Sequence, residues 1–565
     1  MNDIRTEGQN RPYMAAVVGC GVALGLFTKL VTDNWTYFTQ DIVAFGDAAT
    51  DMLLVDRAYH GALLTGHYTV DGLNHLGPFF IYFRYFAEVL VGPYVGSRFG
   101  ADLLGTMAAV SLFAGLMGAT LFRLARGRSA VAASVTASVL VLIQLVGHTD
   151  ILATLLMSEV VVLPFLTFLT TAVLLLQGSL FALIAATFCA GALCHGYIPL
   201  VPVVGAVWLV ALVGGRCRRI RETGRDFPRA AWLAVGLIIA AFLAPILLDI
   251  VVNPPGNIVK VFFDATQGPD AQHPPIREIY DFMISRGLGL RYFLWLVILA
   301  GLFLSLGSGP SRSLWRDVGL VIVVAGLATL LFYLHTPGSL RWHSGRFLIA
   351  LPLLALAVAC LILIQALGRY RPWLTVPLAA WAVVLFAAFL SLTRADGYRW
   401  DGLRVFSNAV AAGNPAGNPV EIDTDAEPPY LIAVASALMV DLERIKIHAC
   451  HPDPAKANFF TPEHICPPGG AATRFLVTSL GPCGQSLSEE EQALRGLSPL
   501  ARTMIHGLDG LFPSPVFNGL LEQSAPRFEG WAPTSPRPVP ACKPPDGMIA
   551  HGCRPSECFG LRKLP

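Results

Sequence analysis

The sequence predicts a polytopic α-helical membrane protein with a small extracytoplasmic α/β domain at its C-terminal end. Three observations lead there. The 565 residues are 54% hydrophobic and only 14% charged, where soluble domains are about one quarter charged. The apolar residues gather in runs of about 20, the length a helix needs to cross a hydrocarbon core. From residue 393 onward those runs stop, and Cys450, Cys466, Cys483, Cys542, Cys553 and Cys558 appear among many prolines and glycines.

In chain order, spans are expected near 12–31, 99–123, 129–147, 151–176, 179–194, 196–213, 230–250, 291–307, 317–335, 346–367 and 374–392. That is eleven crossings in a membrane domain over 1–392. The first run follows a long mixed N-terminal stretch with no small-residue cleavage site, so it reads as an uncleaved span. Residues 77–95, "GPFFIYFRYFAEVLVGPYV", are apolar but hold Arg84 and Glu88 four apart on one helical face. At the bilayer centre such a pair costs several kcal/mol. A helix lying flat at the interface avoids that cost.

The basic loops test this placement. The segments 121–128, 216–225, 311–316 and 369–372 concentrate Arg and should lie in the cytoplasm by the positive-inside rule. With 77–95 flat and the N-terminus cytoplasmic, all four do. The C-terminal domain, 393–565, then lies outside, where its six cysteines can oxidise. Zinc, with His448, His451 and His464 nearby, is the rival use for those cysteines, but no Cys-x-x-Cys pair is present. Cys20, Cys189, Cys194, Cys217 and Cys360, in or beside apolar runs, read as small buried hydrophobes.

The loop 32–76 is also expected outside, as are 251–290 and 336–345. Ala48, Met52, Val55, Tyr59 and Ala62 recur at helical spacing, which predicts an amphipathic helix over 48–63 lying on the outer membrane surface. In the C-terminal domain "PVEID", a helix near 427–443, "RIKIHAC" and "TRFLVTSL" make a strand–helix–strand unit. Residues 515–565 read as irregular and held by disulfides.

The stretch "FGDAATDMLLVD" places Asp47, Asp51 and Asp56 just past the first span, and "NHLGPFFIYF" brings His75 28 residues after Asp47. An acid past the first span, an amphipathic helix, then His-x-x-Pro entering a flat helix resembles the first outer loop of the GT-C membrane glycosyltransferases. These include protein O-mannosyltransferases, lipid A aminoarabinose transferases and actinobacterial arabinofuranosyltransferases. Leu76 stands where that superfamily often has proline. "LCHGYIPLVP", "APILLDIVVNPPGNIVK" and "LRWHSGRFL" resemble later segments of the same proteins. "VEIDTDAEPPYLIAVASALMVDLERIKIHA" resembles a tail unit of actinobacterial relatives.

The resemblance implies a bacterial inner-membrane enzyme working on the periplasmic face. It would transfer a sugar, arabinofuranose being one option, from a polyprenyl phosphate to a cell-envelope glycan, lipid or protein. Membrane lipids are its surroundings, and no nucleic acid is a partner. The chemistry asks for a carboxylate to take the acceptor's proton and for cations to hold the phosphate. A phosphate leaves without protonation, so a single carboxylate suffices, and direct attack inverts the anomeric carbon. Asp47 is the expected base, Gly46 before it letting the chain turn. The alternative for Asp47 is a helix N-cap worth about 1 kcal/mol. Asp51 is expected to orient an acceptor or cation, and Asp56 to pair with an Arg. Asp41 is the second-choice base.

Arg341, His343 and Arg346 are the phosphate-holding candidates, with Lys260 and His75 assisting. His195 sits at a Gly-x-x-Pro break between spans, a feature tolerated at membrane depth where it lines a cavity. Glu159, an acid inside a span, is a further candidate. A divalent cation is the one cofactor left open, with Asp33, Asp41 and Asp47 as its donors. Two other classes fit less well. A polysaccharide polymerase or ligase concentrates chemistry in a large mid-chain loop. A transporter places ionisable groups near the midplane of paired halves.

Overall fold

The fold is described from a computed structural model. It describes residues 3–69, 73–125, 129–146, 152–267, 274–286, 309–336, 344–389, 403–414, 418–424, 429–453, 460–467, 473–481, 550–554 and 557–563. The chain is a multi-pass helical membrane protein. Seven helices among the described residues are long and apolar enough to span: Pro12–Asp33, Arg98–Leu124, Met157–Leu176, Leu200–Thr223, Arg229–Val252, Arg312–His335 and Arg346–Tyr370. Three expected spans are shorter, at Ala130–Leu145, Leu180–Gly196 and Pro372–Ala387. A helix of 17 residues reaches only about 25 Å, short of the roughly 30 Å core. The count of eleven is therefore not reached by helices of full length, and the span expected at 291–307 lies outside the described residues.

The helix Met157–Leu176 is buried throughout and forms the bundle's centre. Small residues let the first two long helices approach. A Cβ on Gly19 would meet the Gly115 carbonyl oxygen at 2.8 Å, and one on Gly115 would meet that of Gly19 at 2.8 Å. Such close backbone packing replaces the hydrophobic drive that lipid removes. The basic helix ends meet one another. Arg218 bonds Asp317 at 3.0 Å and Arg219 bonds the Gly178 carbonyl at 3.3 Å.

The long loop between the first two long helices carries a short helix, Trp35–Thr39, and two longer ones, Asp47–Tyr59 and Phe79–Val91. The last has 13 residues, about 20 Å, and cannot cross. Arg84 and Glu88 are nevertheless buried, because protein groups surround them. The helix Asp47–Tyr59 starts one residue before the expected start and ends four before the expected end. Ala48, Ala49, Asp51, Met52, Leu53, Leu54 and Val55 are all buried, which corrects the expectation of a one-sided surface helix. Its outer side is covered by the helix Pro429–Arg444, with Thr50 Oγ1 donating to Ser436 Oγ at 3.2 Å.

That covering helix belongs to a five-stranded sheet of order β2-β1-β3-β5-β4. Strand β1 (Val420–Thr424) runs parallel to β2 (Ala449–Cys450) and to β3 (Thr473–Gly481). The helix Pro429–Arg444 makes the crossover from β1 to β2, as parallel pairing requires. Strands β4 (Ala550–Arg554) and β5 (Glu557–Lys563) form a hairpin, and β5 pairs antiparallel with β3. The expectation of irregular chain over 515–565 is thus corrected for Ala550–Arg554 and Glu557–Lys563. The open edge of β3 offers unpaired backbone groups, and β5 satisfies them. A disulfide joins Cys450 to Cys466. Cys553 lies opposite Cys558 in the hairpin register, and Cys483 and Cys542 lie outside the described residues.

Candidate active site in the first long loop

Gly46 has φ +66°, a backbone state favouring glycine, and it occupies the N-cap of the helix Asp47–Tyr59. Asp47 is therefore the first helical residue. The cap position belongs to Gly46 and not to Asp47, which displaces the capping alternative. The half-buried carboxylate accepts a hydrogen bond at Oδ1 from the Tyr68 hydroxyl. It sits on the positive end of the helix dipole. Burial and the Asp47 charge push the Tyr68 phenol well above its ordinary range, so it stays a donor.

One turn on, Asp51 is 0% exposed. His67 bonds Oδ1 and Arg84 bonds Oδ2. Arg84, 1% exposed, also donates to Thr106 Oγ1 at 3.2 Å and to the Leu155 carbonyl at 2.8 Å. A buried guanidinium needs such full satisfaction. The clamp ties the helix Asp47–Tyr59, the flat helix and the next span together just below Asp47. Burial works to lower the His67 imidazole, but the Asp51 charge and hydrogen bond outweigh it and raise it.

His75 is buried at the centre of the loop. Its Nδ1 accepts from the Ile198 amide at 3.3 Å, and its ring stacks 6.0 Å from that of His67. Burial, then the charge of His67, holds it well below the ordinary range, so it is neutral. Its backbone pairs with His67 and Gly66, His75 N–H to His67 O at 2.7 Å and Gly66 N–H to His75 O at 2.9 Å. His195 packs beneath this turn. Its Nε2 donates to the Phe242 carbonyl at 2.6 Å. A Cβ on Gly77 would fall 2.2 Å from His195 Nδ1, so only glycine fits there.

The Pro-Pro-Gly-Asn segment reaches the same loop. Asn257 Nδ2 donates to the Asn74 carbonyl at 2.6 Å, while the Asn74 amide donates to Asn257 Oδ1 at 3.0 Å. Asp249 Oδ2 accepts from the Asn257 amide at 2.6 Å. Lys260, one helical turn past Asn257, is exposed. Arg346 lies 3.4 Å from Glu159, so the intramembrane acid faces an arginine. Arg341 and His343 lie outside the described residues.

Among the described residues, the remaining acids of the loop are paired. Asp33 meets Lys29 at 2.8 Å, and Asp41 meets Arg404 of the C-terminal region at 2.7 Å. Asp33, Asp41 and Asp47 thus have separate partners and do not form a donor set. A hollow beside Asp41 is lined by Met52, Arg98, Asp441 and Arg444 among others, with Asp47 outside its lining. Arg98 bonds Asp56 at 2.6 Å and Glu88 at 3.2 Å. Asp56 in turn lies with Glu443 and His464, their ligand atoms within 4.8 Å of one another.

Sequence reasoning missed His67, Tyr68 and the role of Arg84. The signal for Arg84 was present, since a charge inside an apolar helix requires a buried partner. His67 and Tyr68 carry no local signal, because their partners stand 16 and 21 residues away.

No protein-family model matches the chain, and no curated protein matches it by sequence. By structure the chain is similar to ArnT from Cupriavidus metallidurans in the apo state. The identity is 15%, over 84% of this chain and 95% of that one, with a TM-score of 0.46. It is also similar to the Archaeoglobus fulgidus oligosaccharyltransferase in the apo form. There the identity is 12%, over 83% of this chain and 70% of that one, with a TM-score of 0.39.

Proposed function

We propose that the chain is an inverting GT-C glycosyltransferase with Asp47 as its general base. It takes a sugar from a polyprenyl phosphate and gives it to a hydroxyl of a cell-envelope glycan, lipid or protein. The observation that carries this reading is the Asp47 carboxylate, half-buried at a helix N-terminus, with Oδ1 held by Tyr68.

Held in this way, Asp47 offers Oδ2 to an incoming hydroxyl. The acceptor oxygen forms its bond to the anomeric carbon as the bond from that carbon to the phosphate oxygen breaks. The phosphate takes the electron pair, and the acceptor proton passes to Asp47. Lys260 and Arg346 hold the departing charge, with Arg341 and His343 as further candidates. Asp51, His75 and His195 act in this reading as positioning groups. Asp51 and Arg84 fix the helix beneath the base, and His75 and His195 fix the turn facing it. The active face is the periplasmic side of a bacterial inner membrane, with the basic loops in the cytoplasm. The donor sugar is a pentofuranose, arabinofuranose in particular, on the resemblance of the tail unit alone.

The test is reconstitution in lipid with polyprenyl-phosphate sugars and a hydroxyl acceptor. Wild type is expected to form a glycoside of inverted configuration, and Asp47→Asn to lose it. Transfer by a normally folded Asp47→Asn protein removes Asp47 as base. Retained configuration removes the single-step mechanism.

A further inference from the structure

We propose that Asp56, Glu443 and His464 form a divalent-cation site of the zinc class that clasps the C-terminal α/β unit onto the helix carrying Asp47. Asp56 comes from the last turn of the helix Asp47–Tyr59, and Glu443 from the last turn of the helix Pro429–Arg444. His464 comes from the segment closed by the Cys450–Cys466 disulfide. Three parts of the chain far apart in sequence thus bring two carboxylates and one imidazole to one point. Their ligand atoms lie within 4.8 Å of one another. A zinc ion sits about 2.0–2.2 Å from each oxygen or nitrogen ligand, so the set closes on an ion with shifts of about 1 Å or less at the side-chain tips.

The imidazole is prepared for the role. His464 Nδ1 lies 2.9 Å from Thr461 Oγ1, and Nε2 lies 2.7 Å from Glu443 Oε1. A proton on Nδ1, donated to Thr461, leaves the Nε2 lone pair for a metal, and such an outer partner is the usual way a ligating histidine is oriented. Without metal the proton sits on Nε2 and is donated to Glu443, so binding releases or relocates it. Thr461 holds φ +62°, a left-handed state unusual for a β-branched residue and the kind of local strain that marks a site shaped for a purpose. The loop is also pinned by His451 N–H to His464 O at 2.7 Å and Cys466 N–H to His451 O at 2.9 Å.

Arg98 is a cation beside the site, bonded to Asp56 at 2.6 Å, and Arg57 stands nearby, paired to Glu463 at 3.4 Å. Arg98 also bonds Glu88, so a second carboxylate balances it when Asp56 turns to a metal. One imidazole and two carboxylates suit zinc or a similar first-row ion better than magnesium, which prefers oxygen ligands alone. The site is separate from Asp47 and takes no part in sugar transfer, so the proposal stands or falls apart from the enzymatic reading.

The experiment uses the full chain in detergent, prepared without a polyhistidine tag. It is equilibrated with micromolar zinc and dialysed against metal-free buffer. About one zinc per chain is expected, as a site of this ligand set predicts. Its X-ray absorption should show nitrogen and oxygen neighbours. Chelation should lower the thermal midpoint by several degrees, and zinc but not magnesium should restore it. The double variant Glu443→Gln with His464→Gln should hold under about a tenth as much zinc, with no zinc-dependent shift. Wild type without stoichiometric zinc, sulfur in the metal's shell, or full zinc in the double variant would each overturn the proposal. The first two readouts need only wild-type protein, so a variant that fails to fold leaves the test intact.

Discussion

The Tyr68 hydroxyl donates to Oδ1 of the Asp47 carboxylate. The bond fixes the plane of a carboxylate whose other oxygen is the proposed proton acceptor. Asp47→Asn should lower transfer at least about 100-fold, the lower end for loss of a general base. Tyr68→Phe should lower kcat about 10-fold with KM unchanged, since one neutral-to-charged hydrogen bond is worth about 1.5 kcal/mol or more. Radiolabelled-sugar transfer in proteoliposomes measures both.

The Asp51–Arg84 pair is fully buried, so removing one partner strands a charge. Arg84→Met and Asp51→Asn should each cost about 3–5 kcal/mol of stability. The double variant should cost clearly less than their sum. Denaturant unfolding in mixed micelles, followed by intrinsic fluorescence, gives the coupling.

The same clamp has a pH signature. Asp51 raises the buried His67 imidazole above its ordinary value despite the opposing effect of burial. The folded protein then binds the proton more tightly than the unfolded chain does. The stabilisation is full below about pH 6.5, the unfolded value, and is lost as pH rises through the higher folded value. The thermal midpoint should fall over that window, and His67→Gln should flatten the fall. A wild-type midpoint that rises across the window would reverse the assignment.

Gly77 lies against the His195 ring, where a Cβ would come within 2.2 Å of Nδ1. Gly77→Ala should destabilise by about 1–3 kcal/mol, the ordinary cost of overpacking. Placed in a His195→Ala background, the same change should cost less, because the ring that clashes is gone. Equal costs in the two backgrounds would mean the strain falls elsewhere.

The Cys450–Cys466 bridge closes 16 residues. Replacing both cysteines by serine should cost the C-terminal unit about 3 kcal/mol. Limited proteolysis should then cut first within 451–465. An unchanged cleavage pattern would show that the bridge adds little to this segment's order.

What the sequence revealed was set by how local each signal is. The hydrophobic runs exposed most helices directly, and the strand–helix–strand pattern over 420–481 survived because its alternation is short-range. The hairpin 550–563 stayed hidden because its strands gain meaning only from the edge of β3. Asp47 stood out through Gly46 and its position past a span. The partners of Asp51 did not, because His67 and Arg84 lie 16 and 33 residues away. Arg84 looked anomalous in an apolar helix because its counterion was on another helix. The surface-helix expectation for 48–63 failed for the same reason, since its cover lies hundreds of residues downstream.

That last separation has a consequence for how the protein is made. Thr50 and Ser436 are 386 residues apart. At roughly 5–20 residues per second of synthesis, the loop leaves the ribosome about 20–80 seconds before the helix that shelters it. Thr50 and Met52 must wait that long without Ser436 and Val440 beside them. Burial of the Asp47 helix is therefore a late step of biogenesis, and a message truncated before codon 429 yields a bundle whose first long loop keeps an uncovered helix.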